Sequence, residues 1–326
     1  MEVYLFGCKD TTLHVARFLH SKGPDVNLIT IDGESAVKNQ VAGFLNLLDH
    51  RRLFKSVYVA KSYSLRKPED KEFFQRQHFN VPGFCVGWQR LIPEYVLEKF
   101  EFGVHGMHGS ARDLPFGKGR SPMNWSIIEG RKFFYTNLFK YQPGVDDGPI
   151  VDRAVFSINA ADTAETMHYK NVLSMCGIID KNFEKLINGN VVYRTQNKNH
   201  GESFYPKRTP EDGIIDWRDS ANSIDRLIRA VSPPFYGAIA FNKNQEILIY
   251  RASIFFTDVE DHPFVHSSDG EILDVFPSDK FLVRCSNGVL IVHEYSGPTP
   301  DVSDCFKCQE SPFKRFSRNE YGSFDV

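Results

Sequence analysis

Three short stretches of the chain hold residue types that can do chemistry. His105-Gly106-Met107-His108-Gly109-Ser110 brings two imidazoles within four residues, and imidazole is the side chain whose charge changes near neutral pH. The stretch continues an apolar run from Phe102, so it reads as the end of a strand, where side chains alternate between faces. Gly106 and His108 then share one face, His105 and Met107 the other, and only one histidine serves a given cleft. Pro143-Gly144-Val145-Asp146-Asp147-Gly148-Pro149 sets two carboxylates in a tight turn. Asp before Gly is ordinary turn chemistry; beside a histidine, such a carboxylate would fix its tautomer and favour its charged form. Gly7-Cys8-Lys9-Asp10-Thr11-Thr12 joins a first apolar run to a first periodic stretch. Backbone N–H groups at a helix start attract phosphate, and Lys9 adds charge. The stretch matches neither GxGxxG nor GxxxxGK[ST], so a plain strand-to-helix turn competes with a phosphate site. Cys305 and Cys308 form a CxxC, but structural zinc asks for four ligands and no second pair follows. No metal is expected.

The elements that must position these residues read as alternating strands and helices. Val3–Phe6, Val26–Ile31, Val57–Ala60, Gly83–Val86 and Phe102–Met107 are short apolar strands. Leu13–Leu19, Glu69–Gln77 and Pro93–Phe100 read as helices between them. This alternation predicts a parallel α/β sheet, whose sites lie beyond the carboxyl ends of the strands. Ser121-Pro122 opens a helix through Ile128, with Ser as N-cap and Pro at the first helical position. Phe133–Phe139 and Ile150–Ile158 are strands. Ala161–Ile187 is the longest helix, with an acidic first turn that suits the helix dipole. Residues 195–213 are polar and rich in turn formers and read as a linker. Asp219-Ser220 caps a helix whose Ile224, Leu227, Ile228 and Val231 make one apolar stripe, ended by Pro233-Pro234. Beyond it, Ala238–Phe241, Ile247–Tyr250, Leu282–Cys285 and Val289–Val292 read as a small β domain. The expected domains are 1–195, a linker over 196–215, and 216–326. The Phe-rich end, 306–326, is read as covering a sheet edge.

Composition narrows the classes. The 326 residues are 41% apolar and 25% charged, ordinary soluble composition rather than disorder. No run of 18 apolar residues suggests a membrane span, and the first dozen residues lack the basic and apolar regions of a signal peptide. The formal charge of −2 gives no support for a nucleic-acid binder, which usually carries a basic face. Six scattered cysteines fit reduced thiols in the cytoplasm. Most of the 28 Phe read as core, as do Trp88, Trp125 and Trp217.

Taken in order, residues 86–151 resemble the 10-formyltetrahydrofolate-dependent formyltransferase family. That family carries an ILP loop, an Asn-x-His, an LP-x-x-R-G-x-x-P turn followed by a helix, and a D-x-G turn. Leu91-Ile92-Pro93 resembles the loop. Gly106-Met107-His108 falls at the Asn-x-His. Leu114-Pro115, Gly119 and Pro122 follow the turn, with Lys118 at its arginine, and Asp146-Asp147-Gly148 resembles the last motif. Arg208–Asp212 and Ile215-Asp216-Trp217 look like the start of the family's C-terminal domain. The likeness is strongest to the formyltransferase part of the bifunctional UDP-aminoarabinose enzyme. It implies a Rossmann-like, mostly parallel sheet followed by a small β-rich, OB-like domain.

The resemblance also implies an activity: transfer of a formyl group from N10-formyltetrahydrofolate, the cosubstrate, to a primary amine. His108 would act as acid–base or oxyanion partner and Asp146 would hold it. Trp88, Arg90, Leu91 and Ile92 with Gln142, Gly144, Val145 and Asp146 would hold the folate. Gly7, Lys9, Thr11, Ser110 and Lys118 would face the acceptor. Asp147 reads as a turn residue. The departure is Gly106, where the family has asparagine; Asn124, or a water over Gly106, is the expected substitute. About two extra residues fall near Ala111–Asp113, beside the site. The acceptor expected is an amino sugar on a nucleotide, for a surface polysaccharide such as lipopolysaccharide, in the cytoplasm and without a membrane partner; a homodimer fits the family. Methionyl-tRNA formylation, hydrolysis of formyltetrahydrofolate and a catalytically degenerate binding module are the alternatives.

Overall fold

The computed structural model describes residues 1–199, 201–257, 264 and 266–310. The Phe-rich end read as an edge cover lies mostly outside them, from 311 on.

The chain begins with β1 (Glu2–Phe6), α1 (Asp10–Ser21), β2 (Asp25–Thr30), α2 (Gly33–Lys38), a 3-10 turn at Leu47–Leu53 and β3 (Ser56–Val59). Next come α3 (Pro68–Gln75), β4 (Gly83–Cys85), α4 (Glu94–Leu97), β5 (Val104–Ser110), β6 (Lys118–Gly119) and α5 (Pro122–Ile128). Then follow β7 (Phe133–Lys140), β8 (Ile150–Ser157), α6 (Ala164–Ile187), β9 (Phe204–Tyr205), a 3-10 turn at Pro210–Gly213 and α7 (Ala221–Val231). The last strands are β10 (Ala238–Asn242), β11 (Gln245–Thr257), β12 (Ile272–Val275), β13 (Phe281–Cys285) and β14 (Gly288–Ser296).

The chain forms two compact units. The first holds Met1–Lys118, Tyr135–Phe156 and Tyr169–Glu202; the second holds Gly119–Phe134, Ser157–His168 and the described residues from Ser203 onward. The large sheet runs β3-β2-β1-β4-β5-β7-β8. Its first four pairings are parallel and β5–β7 is antiparallel. The sheet is therefore mostly parallel, as the alternation predicts. Neighbours of β1 diverge to either side, so the strand order reverses between β1 and β4, where open α/β sheets bind ligands. One face packs Val3, Leu5 and Leu138 against Met175, Ile179 and Phe183 of α6; the other packs Phe6, Cys85 and Val104 among Phe74, Val96 and Phe100. Both faces are covered, which accounts for the nearly continuous apolar runs of β1 and β2. Phenylalanine does serve as core here, with the Phe79 and Phe100 rings stacked at 4.5 Å.

In the second unit the five-stranded sheet β10-β11-β14-β13-β12 is antiparallel. Helix α7 turns the foreseen stripe of Ile224, Leu227, Ile228 and Val231 into it, all four buried. Ser220 caps α7, its Oγ accepting from Ser223 N–H at 3.2 Å.

Several local expectations need correction. Helix α4 is only four residues, because Glu98–Phe100 close as turns. β5 starts at Val104 and continues to Ser110. Ser121 does not cap α5 through its side chain: its φ is +52°, left-handed, and no side-chain cap bond forms. Pro122 alone carries that helix start. β12 was not foreseen, since Ile272–Val275 is short and interrupted by Asp274.

Candidate active site

The strand β5 sorts its side chains as alternation predicts. Met107 packs with the α6 core. His105 lies on that same face, fully buried, its Nε2 3.0 Å from the Tyr193 hydroxyl. Burial, with the nearby Lys140 charge, pushes the His105 ring down to about 3, so it is a neutral core histidine across the working pH range. His108 lies on the opposite face, buried to 7% exposure. Its Nδ1 is 3.3 Å from Asp146 Oδ2 and its Nε2 is 2.7 Å from the Gly117 carbonyl oxygen. The two residues named from the sequence thus meet across 38 positions of chain, and the imidazole bridges the Asp146 carboxylate and the Gly117 carbonyl, an acid–imidazole pairing of the kind used in general acid–base work once the far nitrogen is released to a reactant.

The turn carrying Asp146 is held from several sides. Asp146 sits at φ +49°, a left-handed conformation that Asp tolerates better than most residues. Gln196 donates from Nε2 to the Asp146 carbonyl at 2.7 Å and to the Gly148 carbonyl at 2.8 Å. Gly148 is obligatory because a Cβ there would lie 1.6 Å from the Lys140 carbonyl oxygen, and one at Gly144 would lie 2.3 Å from Asp147 Oδ2. The adjacent acids divide their tasks. Asp146 faces the imidazole; Asp147 ties the turn down through ion pairs with Lys118 and, at 3.0 Å, Lys198. Burial works to raise the Asp147 carboxyl, but those two lysines outweigh it and hold the acid below its ordinary value. Lys118, expected on the acceptor side, has a fully buried side chain whose Nζ also meets Glu202 at 2.7 Å. Here it fastens the turn.

The remaining expected residues take these positions. Gly7 and Gly87 let two loops touch: Thr12 Oγ1 donates to the Val86 carbonyl at 2.7 Å, and a Cβ on Gly7 would fall 2.2 Å from that hydroxyl oxygen. The turn from β1 to α1 therefore seats directly on the loop after β4, with Thr11 buried and Lys9 half-buried. In that second loop Trp88 is buried and its Nε1 has no partner. Arg90 lies over the Tyr63 ring at 5.4 Å, Ile92 is buried, and Leu91 is 53% exposed. Gln142, Gly144 and Val145 are exposed. Ser110 is buried and accepts from Arg112 N–H at 3.4 Å. Asn124, expected to replace the family asparagine, lies in the second unit and donates its amide to the Ala230 carbonyl at 2.7 Å.

Three residues near His108 escaped the sequence reading. Gln196 falls in a polar run that resembles a linker, and nothing in such a run marks one glutamine as a clamp. Asn137 is the cross-strand partner of His108 in the β5–β7 register and is fully buried, with both amide atoms unpartnered; a lone Asn inside the apolar strand 133–140 is the signal that could have found it. Tyr141 crosses the face of Gly106: a Cβ added at 106 would lie 1.9 Å from Tyr141 Cε1 and 2.5 Å from its hydroxyl oxygen.

Known proteins match both halves of the chain. Formyl transferase matches residues 39–173, and Formyl transferase, C-terminal domain, matches residues 207–304. The bifunctional polymyxin resistance protein ArnA of Wigglesworthia glossinidia brevipalpis is 30% identical over 173 residues, 53% of this chain but 26% of that protein. Among solved structures, the N-formyltransferase of Helicobacter canadensis, in complex with folinic acid and dTDP-3-aminofucose, superposes with a TM-score of 0.66 at 17% identity. It covers 91% of this chain and all of its own. The methionyl-tRNA formyltransferase of Clostridium thermocellum gives a TM-score of 0.52 at 18% identity, over 78% of this chain and 93% of its own. At those identities the likeness is one of fold.

Proposed function

Because the chain belongs to the formyl transferase family, we propose that it transfers the formyl group of N10-formyltetrahydrofolate to the primary amine of a nucleotide-linked amino sugar. The observation that carries the reading is the buried His108–Asp146 contact, held by Gln196, Asp147 and Lys118 on the sheet of a formyl transferase fold. The Helicobacter canadensis relative, crystallised with a folate and a dTDP-amino sugar, supports the choice of substrates.

The residues present fit the folate. Leu91 and Val145 offer exposed apolar side chains on the 88–92 and 142–148 loops. The amine attacks the formyl carbon, a new C–N bond forms, and the bond from that carbon to N10 breaks. The amine gives up one proton and N10 gains one. His108 carries that proton, oriented by Asp146, and such a positioned group is typically worth about 10² to 10⁴ in rate. The turn glycines and the Gln196 clamp set the carboxylate at one place before substrate arrives, which lowers the cost of orientation.

A second reading has one observation in its favour. Arg17, Arg51 and Arg52 are exposed around one surface cavity of the first unit, a local basic group inside a chain of net charge −2. Formylation of methionyl-tRNA would use such a group through phosphate contacts, with steep salt dependence. The test serves both readings. N10-formyltetrahydrofolate is mixed with a panel of UDP- and dTDP-linked amino sugars and, separately, with methionyl-tRNA, and tetrahydrofolate release and product mass are followed. One formyl mass added to one sugar supports the first reading. Formylation of the tRNA alone moves the assignment to the second. Formate release without any formylated product moves it to hydrolysis.

A further inference from the structure

We propose that the Tyr141 hydroxyl is the oxyanion donor of this site, occupying the space that Gly106 leaves open on β5. The proposal rests on the formyl-transfer reading and assigns the one role that Gly106 cannot perform. When an amine adds to a formyl carbon, its carbonyl oxygen gains negative charge, and a hydrogen-bond donor aimed at that oxygen is commonly the largest single contribution to rate.

The register places Tyr141 on the right face. Gly106 faces Phe139 and His108 faces Asn137 across β5–β7. Tyr141 N–H donates to the Val104 carbonyl at 2.8 Å, which continues the ladder and puts its side chain on the face of Gly106 and His108. From that diagonal position the ring leans over Gly106. Its phenol end stands where a side chain at 106 would start, with Cζ 2.2 Å and the hydroxyl oxygen 2.5 Å from the Cβ position. An amide nitrogen on such a side chain would lie about as far from its own Cβ. The exchange is thus geometric: a donor at 141 occupies what a donor at 106 would need, and either excludes the other.

The surroundings suit a donor. Cys85 of β4 pairs with Gly106 of β5, and its thiol meets the Tyr141 side chain. The Asp146 charge, which meets His108, also acts weakly on the phenol. Burial, with Cys85 and Asp146 adding to it, holds the phenol well above its ordinary value. The group therefore keeps its proton throughout the working range. Tyr141 is partly exposed as a residue, and its hydroxyl end lies buried beside Cys85 at the opening that Gly106 leaves. Two amides compete for the role. Asn124 is committed to Ala230, and Asn137 is sealed from solvent at 0% exposure.

The test compares wild type, Tyr141→Phe, Tyr141→Ala, the double variant Gly106→Asn/Tyr141→Ala, and Asn137→Thr. Each is assayed with N10-formyltetrahydrofolate and the amine that the acceptor panel identifies, together with formate release without amine. Tyr141→Phe keeps the ring and removes only the O–H. Its kcat is expected to fall about 10² to 10³-fold, with KM for the folate within about threefold, the pattern of an interaction made only in the transition state. Gly106→Asn/Tyr141→Ala is expected to regain at least about tenfold over Tyr141→Ala, since the amide then has room. A Tyr141→Phe enzyme within about threefold of the wild-type kcat overturns the donor role while leaving formyl transfer intact. So does a 10²-fold loss confined to Asn137→Thr, which gives the role to that amide. A wild-type chain that neither formylates an amine nor releases formate overturns the formyl-transfer reading, and the donor role falls with it.

Discussion

Replacing Gln196 by Met removes the two hydrogen bonds that hold the Asp146 turn while nearly preserving side-chain volume. The Gly148 carbonyl is buried and would be left without that donor, at about 1–3 kcal/mol for an unsatisfied buried acceptor. The Asp146 carbonyl is only partly buried and can recover water, so its loss is about 0.5–1.5 kcal/mol. Together these amount to roughly 2–4 kcal/mol, and for domains of 150–250 residues each kcal/mol lowers Tm by about 2–4 °C. A fall of about 4–16 °C is therefore expected by calorimetry. Function should suffer beyond stability. Asp146 is held at φ +49°, a conformation costing of order 1 kcal/mol, and without the clamp it relaxes away from His108. Turnover measured well below the new Tm should then drop at least about tenfold, with acid Asp147 still paired to Lys118 and the fold intact by circular dichroism. A Gln196→Met protein that melts within about 1 °C of wild type and turns over normally would refute the clamp.

Three further outcomes follow from the same geometry. His108→Ala and Asp146→Asn should each lower kcat by about 10² to 10⁴ without shifting Tm by more than a few degrees, checked by steady-state kinetics and calorimetry. Gly106→Ala places a methyl carbon 1.9 Å from the Tyr141 ring, so the ring must move, and both Tm and kcat should fall although the substitution adds one carbon. Acid stability should carry the mark of His105. The unfolded histidine takes a proton near 6.5 but the buried one only near 3, so between those pH values the unfolded chain holds one proton more. Stability is then full above about 6.5 and falls with acid at up to about 1.4 kcal/mol per pH unit, and urea titrations of His105→Gln should show a correspondingly shallower slope.

Much of the fold is legible because each device is local. Apolar runs bounded by Gly and Pro give the parallel strands, and the 224–231 stripe gives α7. The ordered motifs mark His108 and Asp146, since each lies in a stretch whose neighbours constrain it. The clamp is illegible for the opposite reason: Gln196 acts on a turn 50 residues away, and sequence carries no distance. Lys118 shows the same limit. Its charge suggests a substrate rim, yet two acids from distant segments, Asp147 and Glu202, make a fully buried position tolerable. Gly106 alone reads as a loss. Only beside Tyr141 does it read as room made for another residue.

The ion pairs of Lys118 also bear on how this chain could be taken apart. Lys118 and Glu202 are the last residues of two segments of the first unit before the chain passes to the second, and their side chains meet at 2.7 Å, with Asp147 on the same ammonium. The two exits and the acidic turn are thus one fastened piece. A fragment cut at 195, where the polar run begins, would discard Gln196, Lys198 and Glu202 together and leave Lys118 and the turn without those partners. Because the second unit also draws on residues 119–134 and 157–168, no single cut separates the units. Grafting this C-terminal half onto a relative, or swapping acceptor specificity between relatives, calls for junctions beyond 202 and preservation of the two inner segments.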